Sequence, residues 1–203
     1  MKKIDENYNK ILHAARDIFS RFGFRKTTMD EIAKAVHMGK SSIYYYFPGK
    51  EDVFKAVVDK EAQLFREELI RKISTEKTAK DKLHTYIMFR MMKLSELASF
   101  YEAIRADYLS HFSFIEEIRS KYDKEESHLI QNILIEGKVK GEFSSVDEPE
   151  LAATAIAIAM KGLEYPLLIS EKKDDRELMK RIEKLLDILF YGIVKVNNNS
   201  NNN

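Results

Sequence analysis

Six of the seven residues from 40 to 46 carry side chains suited to contacting nucleic acid. A lysine can donate hydrogen bonds to guanine O6 and N7, and hydroxyl groups can donate to phosphate oxygens. By this chemistry the residues that suit base edges are Lys40, Ser41, Tyr45 and Tyr46. Those that suit phosphates by hydroxyl donation are Ser42, Tyr44 and, upstream, Thr28. The tyrosine rings can instead lie along thymine methyl groups or sugars, and one of Tyr44 and Tyr46 is expected to pack partly against the first helix.

A short helix is predicted just upstream of these residues. Ile32, Ala33 and Val36 form one apolar stripe at helical spacing. Thr28 stands at the N-cap position with Glu31 three residues later, which is the pattern of a capping box. The sequence therefore predicts where this helix begins and which face it buries.

A second short helix follows after a break at residues 37–39. Ser41 or Ser42 is expected to cap it, and a Pro-Gly pair ends it. Ile43 and Phe47 lie one turn apart and can pack inward, which leaves the polar and aromatic residues exposed. So short a helix is unstable alone and needs neighbours. The two helices together predict a helix-turn-helix.

The run from residue 19 to residue 54 resembles the TetR family of one-component transcriptional repressors. The matching residues, in order, are Phe19 with Gly23, Thr27-Thr28, Ile32-Ala33, Ile43 to Phe47, and Lys50-Glu51. The resemblance covers about a quarter of the chain. It implies that Lys50 contacts a DNA phosphate. It also implies that the fourth helix links a ligand-binding body to the DNA-reading unit, and that its tilt sets the spacing of two recognition helices in a dimer.

The sequence departs from the family pattern at two places. His37 replaces the turn glycine, which is tolerable because histidine enters the left-handed backbone region at modest cost. The start of the recognition helix is Gly39-Lys40-Ser41 where the family often has serine-x-glycine. The operator sequence therefore cannot be taken from relatives.

Composition excludes several classes of site. The chain has 203 residues, 44% apolar content and no cysteine. It can bury a core, but it has no disulfide, no thiolate metal site and no catalytic thiol, which fits a reducing cytoplasm. The N-terminus lacks a signal-peptide pattern, and the apolar run at 151–169 is too broken to span a membrane. We expect a cytoplasmic protein with no membrane partner.

Catalytic patterns are missing as well. The five histidines form no i, i+4 pair and no metal-ligand pattern, and the chain has neither a glycine-rich phosphate loop nor a nucleophile elbow. We therefore expect no catalytic residue, no metal, no cofactor and no enzymatic activity.

Charge is distributed unevenly along the chain. Residues 1–50 contain ten Lys/Arg and five Asp/Glu, while the remainder contains 24 and 28. A basic N-terminal quarter on an acidic body is the asymmetry expected when one end of a molecule meets phosphates, although small imbalances are common.

The fold class predicted is all-α, with an N-terminal three-helix helix-turn-helix unit and a C-terminal helical ligand-binding and dimerisation domain. The predicted domains are 1–49 for DNA binding, 50–196 for ligand binding and dimerisation, and a disordered Asn-rich tail at 197–203. The predicted helices span 4–22 (closed by Gly23), the two short helices, then 50–73, 79–97, 99–111, 114–139, 147–169 and 174–196.

The last two helices, at about 150–196, are predicted to form a homodimer interface. Residues 151–163 are apolar on almost every side, with small residues that allow close approach. The final helix carries two apolar stripes, one including Leu178, Ile182, Leu185 and Leu189 and the other Met179, Leu186 and Phe190. One stripe can serve the protomer and the other a partner; the alternative is one protomer burying both. The resemblance implies the same four-helix dimer contact.

The middle of the chain is rich in aromatic residues and methionine, which suits a pocket for an apolar or amphipathic effector. The candidate ligand-binding residues are Tyr86, Phe89, Arg90, Phe100, Tyr101, Arg105, Tyr108, Phe112 and Tyr122. Aromatic residues at helical spacing are also typical of a plain core, and the arginines can equally be surface charges.

The sequence thus favours a dimeric regulator, with repression as the expected action, that binds a palindromic double-stranded DNA operator and is released by a small-molecule effector. One alternative is a helical ligand-binding protein or enzyme that no longer reads DNA. An activator or a chromosome-organising protein would use the same DNA contacts.

Overall fold

The computed structural model describes residues 2–100, 112–144, 146–169 and 175–192, and all regular elements in these ranges are helices. The helices are α1 (Lys2–Lys26), α2 (Met29–Ala35), α3 (Lys40–Tyr46), α4 (Lys50–Ser74), α5 (Ala79–Phe100), α6 (Phe112–Val139), α7 (Pro149–Ile169) and α8 (Asp175–Tyr191). The all-α prediction is confirmed. The tail predicted at 197–203 lies outside the described residues.

Gly23 separates two helical stretches of α1, at the position where the sequence predicted that the first helix ends. Its φ of 79° and ψ of 166° are non-helical, yet helical residues continue to Lys26. Only glycine adopts this region without strain. The buried hydroxyl of Thr27 donates to the Gly23 carbonyl at 2.7 Å and so satisfies an acceptor at the bend.

The first hydrophobic cluster holds the first three helices together with the start of α4. Its most deeply buried members are Ile11, Ala15, Phe19, Ile32, Ile43 and Val53. Three aromatic rings join α1 to α4: Phe54 lies 5.2 Å from Phe19 in an edge-on arrangement and 5.2 Å from Phe24. This cluster, which we call the DNA-unit core, comprises buried residues from Ile11 to Val57.

Helix α4 belongs to both halves of the molecule. Val53, Phe54 and Val57 lie in the DNA-unit core, whereas Leu69 and Ile73 lie in a second cluster, the body core. Between them, no residue from 58 to 68 is buried. The prediction of a continuous helix crossing between the two halves is confirmed.

The body core is built by α5, α6, α7, α8 and the end of α4. Its largest buried side chains include those of Tyr86, Leu83, Met91, Ile130 and Ile182. The sequence predicted a break between 97 and 99, but α5 continues to Phe100; the helix predicted to follow lies mostly outside the described residues.

The buried face of α8 differs from the stripes expected. Ile182 and Leu186 are buried, with Met179 and Phe190 packed beside them, whereas Leu185, Ile188 and Leu189 are exposed. The prediction grouped Ile182 with Leu185 and Leu189. The other predicted stripe, Met179, Leu186 and Phe190, does pack in the body core, so among the residues whose burial is described only Ile182 was assigned to the wrong stripe. At about 100° per residue Ile182 lies between the two stripes, and periodicity alone does not decide its face.

Candidate nucleic-acid interface

The start of α2 carries the expected capping box. Thr28 is the N-cap, and its hydroxyl accepts from the Glu31 backbone N–H at 3.3 Å while the Glu31 carboxylate accepts from the Thr28 N–H at 2.7 Å. The Thr28 hydroxyl also donates to that carboxylate at 2.9 Å. Thr28 is exposed, but its hydroxyl hydrogen already has an acceptor. It would have to exchange that acceptor to reach a phosphate.

The turn between α2 and α3 is closed by backbone hydrogen bonds around His37. His37 has a φ of 55°, in the left-handed region. This was expected because His37 stands where the resembled family has a turn glycine. The His37 N–H donates to the Lys34 carbonyl at 3.1 Å, and the Met38 N–H donates to the Ala33 carbonyl at 2.9 Å. This is the Schellman pattern, which satisfies two terminal carbonyls and fixes the direction in which α3 leaves.

The N-cap of α3 lies two or three residues before the predicted serine caps. Gly39 is the N-cap, makes no side-chain cap, and its carbonyl accepts from the N–H groups of Ser42 at 3.0 Å and Ile43 at 3.2 Å. The prediction that Ser41 or Ser42 caps the helix is therefore wrong. Both serines lie inside the first turn, and both are exposed.

Helix α3 has one buried and one exposed face. Ile43 and Phe47 are buried, as predicted. Tyr45 is the most exposed aromatic of the helix at 75%, and Tyr44 is exposed at 42%. Tyr46 is half-buried, and its hydroxyl accepts from the side-chain amide of Asn7 in α1 at 3.2 Å. The expected packing of one tyrosine against the first helix is thus found at Tyr46.

Lys40, the first residue of α3, is bound by Asp30 in α2. Its Nζ lies 2.9 Å from Oδ1 and 3.2 Å from Oδ2 of that carboxylate. The hydrogen bond to Asp30, together with the charge of that carboxylate, raises the pKa of Lys40 above its ordinary value. Asp30 is the functional neighbour that sequence reasoning missed, since helical periodicity gives no signal for a contact ten residues apart.

Lys50, the first residue of α4, faces the end of α1. Its Nζ donates to the Arg25 carbonyl at 3.3 Å and lies 4.5 Å from the centre of the Phe24 ring. The ammonium group therefore joins α4 to α1 in this structure. A phosphate contact by Lys50 would compete with the carbonyl contact.

Four of the predicted ligand-binding residues have described side chains. Tyr86 and Phe89 are buried in the body core. Arg90 forms an ion pair with Glu126 of α6 and donates to the Tyr86 hydroxyl at 3.5 Å. Tyr122 donates to Asp59 of α4 at 3.2 Å. Tyr101, Arg105 and Tyr108 lie outside the described residues, as do the side chains of Phe100 and Phe112.

An open cleft of about 680 Å³ lies between α5 and α8. Its lining consists of Met88, Arg176, Met179, Lys180, Glu183, Lys184 and Asp187. None of the four predicted ligand-binding residues with described side chains lines this cleft. Among the described residues, no cluster of His, Cys, Asp or Glu could hold a metal ion, and none of the described helices is long and apolar enough to cross a membrane.

Comparison with known proteins matches residues 11–57 to the family of bacterial regulatory proteins named tetR. The regulator QacR of Staphylococcus aureus is 24% identical over 92% of this chain and 98% of its own. The structure of a transcriptional regulator from Cytophaga hutchinsonii is 28% identical, covers 89% of this chain and 94% of its own, and has a TM-score of 0.72. The regulator FadR of Bacillus subtilis, solved with stearoyl-CoA, is 25% identical, covers 92% and 100%, and has a TM-score of 0.66.

Proposed function

We propose that this chain, a member of the TetR family and a DNA-binding transcriptional regulator, is a repressor that binds a palindromic operator as a homodimer and is released by a small apolar or amphipathic effector. The observation that carries the proposal is that α3 has one face buried in the DNA-unit core and one face exposed. Ile43 is buried in the DNA-unit core, while Lys40, Ser41 and Tyr45 are exposed on a helix that its neighbours hold in place.

The exposed residues fall into two chemical roles. Lys40, Ser41 and Tyr45 contact base edges, and Ser42 and Tyr44 donate to phosphates. Tyr46 was a candidate for base contact, but its bond to Asn7 and its partial burial favour a role in orienting α3 against α1. Thr28 and Lys50 reach phosphates only by exchanging their present partners, Glu31 and the Arg25 carbonyl.

The dimer is supported by apolar residues left exposed on α7 and α8. Leu151 is 63% exposed and Ile158 65%, and on α8 Leu185, Ile188 and Leu189 are also exposed. Three small exposed residues lie on the same face of α7 as Leu151 and Ile158. They are Ala155, Ala159 and Gly162. A second copy packing on this face would bury it and place two recognition helices one DNA turn, about 34 Å, apart.

The effector is proposed to act through α4. FadR of Bacillus subtilis was solved with stearoyl-CoA, a ligand with an apolar chain and a charged head. In this chain, Arg90 and Tyr122 are polar groups beside the apolar body core, and Tyr122 contacts α4 through Asp59. A ligand that binds one arrangement of α6 and α4 more tightly than another shifts the population toward it and changes the spacing of the DNA-binding units.

Operator selection tests the DNA proposal. The wild-type protein is used to select duplexes from a genomic fragment library, and binding is then measured by gel shift at two salt concentrations. Tyr45→Ala and Lys40→Ala should each weaken specific retention, and Val139→Ala should not, because Val139 is likewise exposed, at 82%, but ends α6. Failure to retain any fragment specifically would contradict the repressor and favour a helical ligand-binding protein or enzyme.

Sedimentation equilibrium tests the dimer. Wild type should show twice the 23.7 kDa mass of one chain, and Leu189→Glu should be monomeric. The matched control is Leu64→Glu, since Leu64 in α4 is 47% exposed and Leu189 is 48% exposed. A monomeric wild type, or equal effects of both substitutions, would contradict the proposed interface.

Stearoyl-CoA provides the first effector probe, followed by apolar cations and uncharged lipids. An effector should release the labelled operator from wild type at concentrations that also raise its melting temperature. Binding without release would contradict the proposed mode of regulation while leaving the DNA proposal intact.

A further inference from the structure

The ion pair between Lys40 and Asp30 joins the two helices of the helix-turn-helix across their turn. Both carboxylate oxygens of Asp30 lie within 3.2 Å of the ammonium group, at 2.9 and 3.2 Å. Asp30 belongs to the first turn of α2, and Lys40 begins α3. The pair therefore fixes a candidate base-contacting side chain before DNA is present.

Folding gives little reason for this pair. The Lys40 side chain is 64% exposed and that of Asp30 is 52% exposed, and ion pairs in water contribute little to stability. The capping box of α2 is made by Thr28 and Glu31, so Asp30 is not needed as a cap. A carboxylate on the face that meets DNA would also be repelled by phosphates. Asp30 in the first turn also favours α2 through the helix dipole, but that effect does not need Lys40, so the pairing itself points to a role in binding.

Non-specific DNA binding is driven by neutralising phosphates with free lysine and arginine side chains. A lysine that already has a carboxylate as counterion releases less bound salt when it meets a phosphate, so it contributes less to such binding. A guanine in the right place offers two acceptors, O6 and N7, and can replace both carboxylate oxygens. The pair should therefore weaken binding to wrong sequences more than binding to the operator.

We propose that Asp30 is a specificity-determining residue, which holds Lys40 away from non-operator DNA and gives it up when operator bases replace the carboxylate. This rests on the proposed operator binding. Asp30 needs no base contact of its own for this role, because it acts through the lysine that makes one.

The test compares wild type with Asp30→Asn, Lys40→Met and the double variant. Fluorescence anisotropy is measured on a 30-base-pair duplex selected by the wild-type protein from a random library, and on a shuffled duplex of the same composition. Asp30→Asn should bind the shuffled duplex about three- to tenfold more tightly and gain less on the selected one. The slope of log K against log salt on the shuffled duplex should steepen by about one.

The double variant separates an effect through Lys40 from simple removal of a negative charge. In the Lys40→Met background, Asp30→Asn should change neither the ratio of the two affinities nor the salt slope by more than a small fraction of its effect in wild type. Asp17→Asn is the matched control, because Asp17 is an exposed acid of α1, at 59%, that pairs with its own helix. It should leave the ratio unchanged.

Several outcomes would overturn the inference. These are an unchanged affinity ratio in Asp30→Asn, an equal effect in the Lys40→Met background, and an equal effect of Asp17→Asn. Circular dichroism melts verify that the isosteric Asn variant stays folded. A wild-type protein that selects no sequence at all would instead refute the proposed operator binding, which is a separate and earlier result in the same experiment.

Discussion

Replacing Phe54 with alanine should destabilise the DNA-binding unit while leaving the stability of the body unchanged. The ring of Phe54 is buried and contacts the rings of Phe19 and Phe24, each at 5.2 Å between centres. Phe→Ala in a packed core costs about 3–5 kcal/mol, including these ring contacts and the cavity left behind. The loss occurs where α4 is attached to α1.

The cost should be confined because, among the residues whose burial is described, the two hydrophobic clusters have no member in common. At about 1.4 kcal/mol per factor of ten, a loss of about 3 kcal/mol raises the open population of the DNA-binding unit at least a hundredfold. Amides of α1, α2 and α3 should exchange faster by that factor, whereas those of α5 and α6 should change little. Operator affinity should fall because the folded unit is less populated.

Native-state hydrogen exchange with peptide-level mass spectrometry measures both halves in one sample. Leu134→Ala is the matched control, since Leu134 is 3% exposed in the body core, and it should accelerate exchange in α5 and α6. If Phe54→Ala accelerates both sets of peptides equally, the chain unfolds as one cooperative unit and the reasoning from separate clusters is refuted.

Three further substitutions test local features. His37→Gly should raise the free energy of unfolding by about 0.5–1 kcal/mol in urea titrations, because glycine adopts the left-handed φ of 55° without a side-chain penalty. Gly137→Ala should lower it by about 1–3 kcal/mol, since the added Cβ would lie 2.2 Å from a ring carbon of Phe143. Glu136 has a pKa lowered by Lys140 and then Lys82, so it stabilises the folded state above the usual glutamate pKa of about 4.3, and that stabilisation is lost as the pH falls below it. Glu136→Gln should therefore flatten the decline in urea stability between pH 6 and pH 3.

Each of these three predictions has a result that would contradict it. A destabilising His37→Gly would show that the imidazole makes a compensating contact. The control for Gly137→Ala is the same substitution in a Phe143→Ala background, where the clashing ring is absent and the added Cβ should cost less. An unchanged acid decline in Glu136→Gln would mean that the carboxylate pairs contribute nothing measurable.

The sequence predicted the features that depend on residues close together in the chain. Thr28 and Glu31 are three residues apart, and Ile43 and Phe47 are four apart, so helical geometry alone brings each pair together. The all-helical class and the continuity of α4 follow from the same periodicity. The left-handed conformation at His37 was anticipated from the family resemblance.

The contacts that the sequence did not predict join residues far apart in the chain or depend on small shifts in phase. Lys40 meets Asp30, and Lys50 meets the carbonyl of Arg25, because the turn and the bend at Gly23 bring α2 and α1 toward them. The cap of α3 was misplaced by two or three residues because glycine and serine both serve at that position. The effector pocket and the dimer face remain predictions.

The unburied middle of α4 has a consequence for how this chain can change in length. No residue between 58 and 68 is fully buried, although Asp59, Glu61 and Phe65 contact Tyr122, Arg16 and Phe89, so the other positions of that stretch tolerate changes of residue type best. Insertions and deletions are different: each residue added to a helix turns everything beyond it by about 100° and moves it by about 1.5 Å. One extra residue would point the DNA-binding unit sideways relative to the body. A chimera joining this N-terminal unit to another body must therefore preserve the number of residues between Val57 and Leu69. In designing such hybrids, keeping the helical rotation between the two halves matters more than matching the residue types.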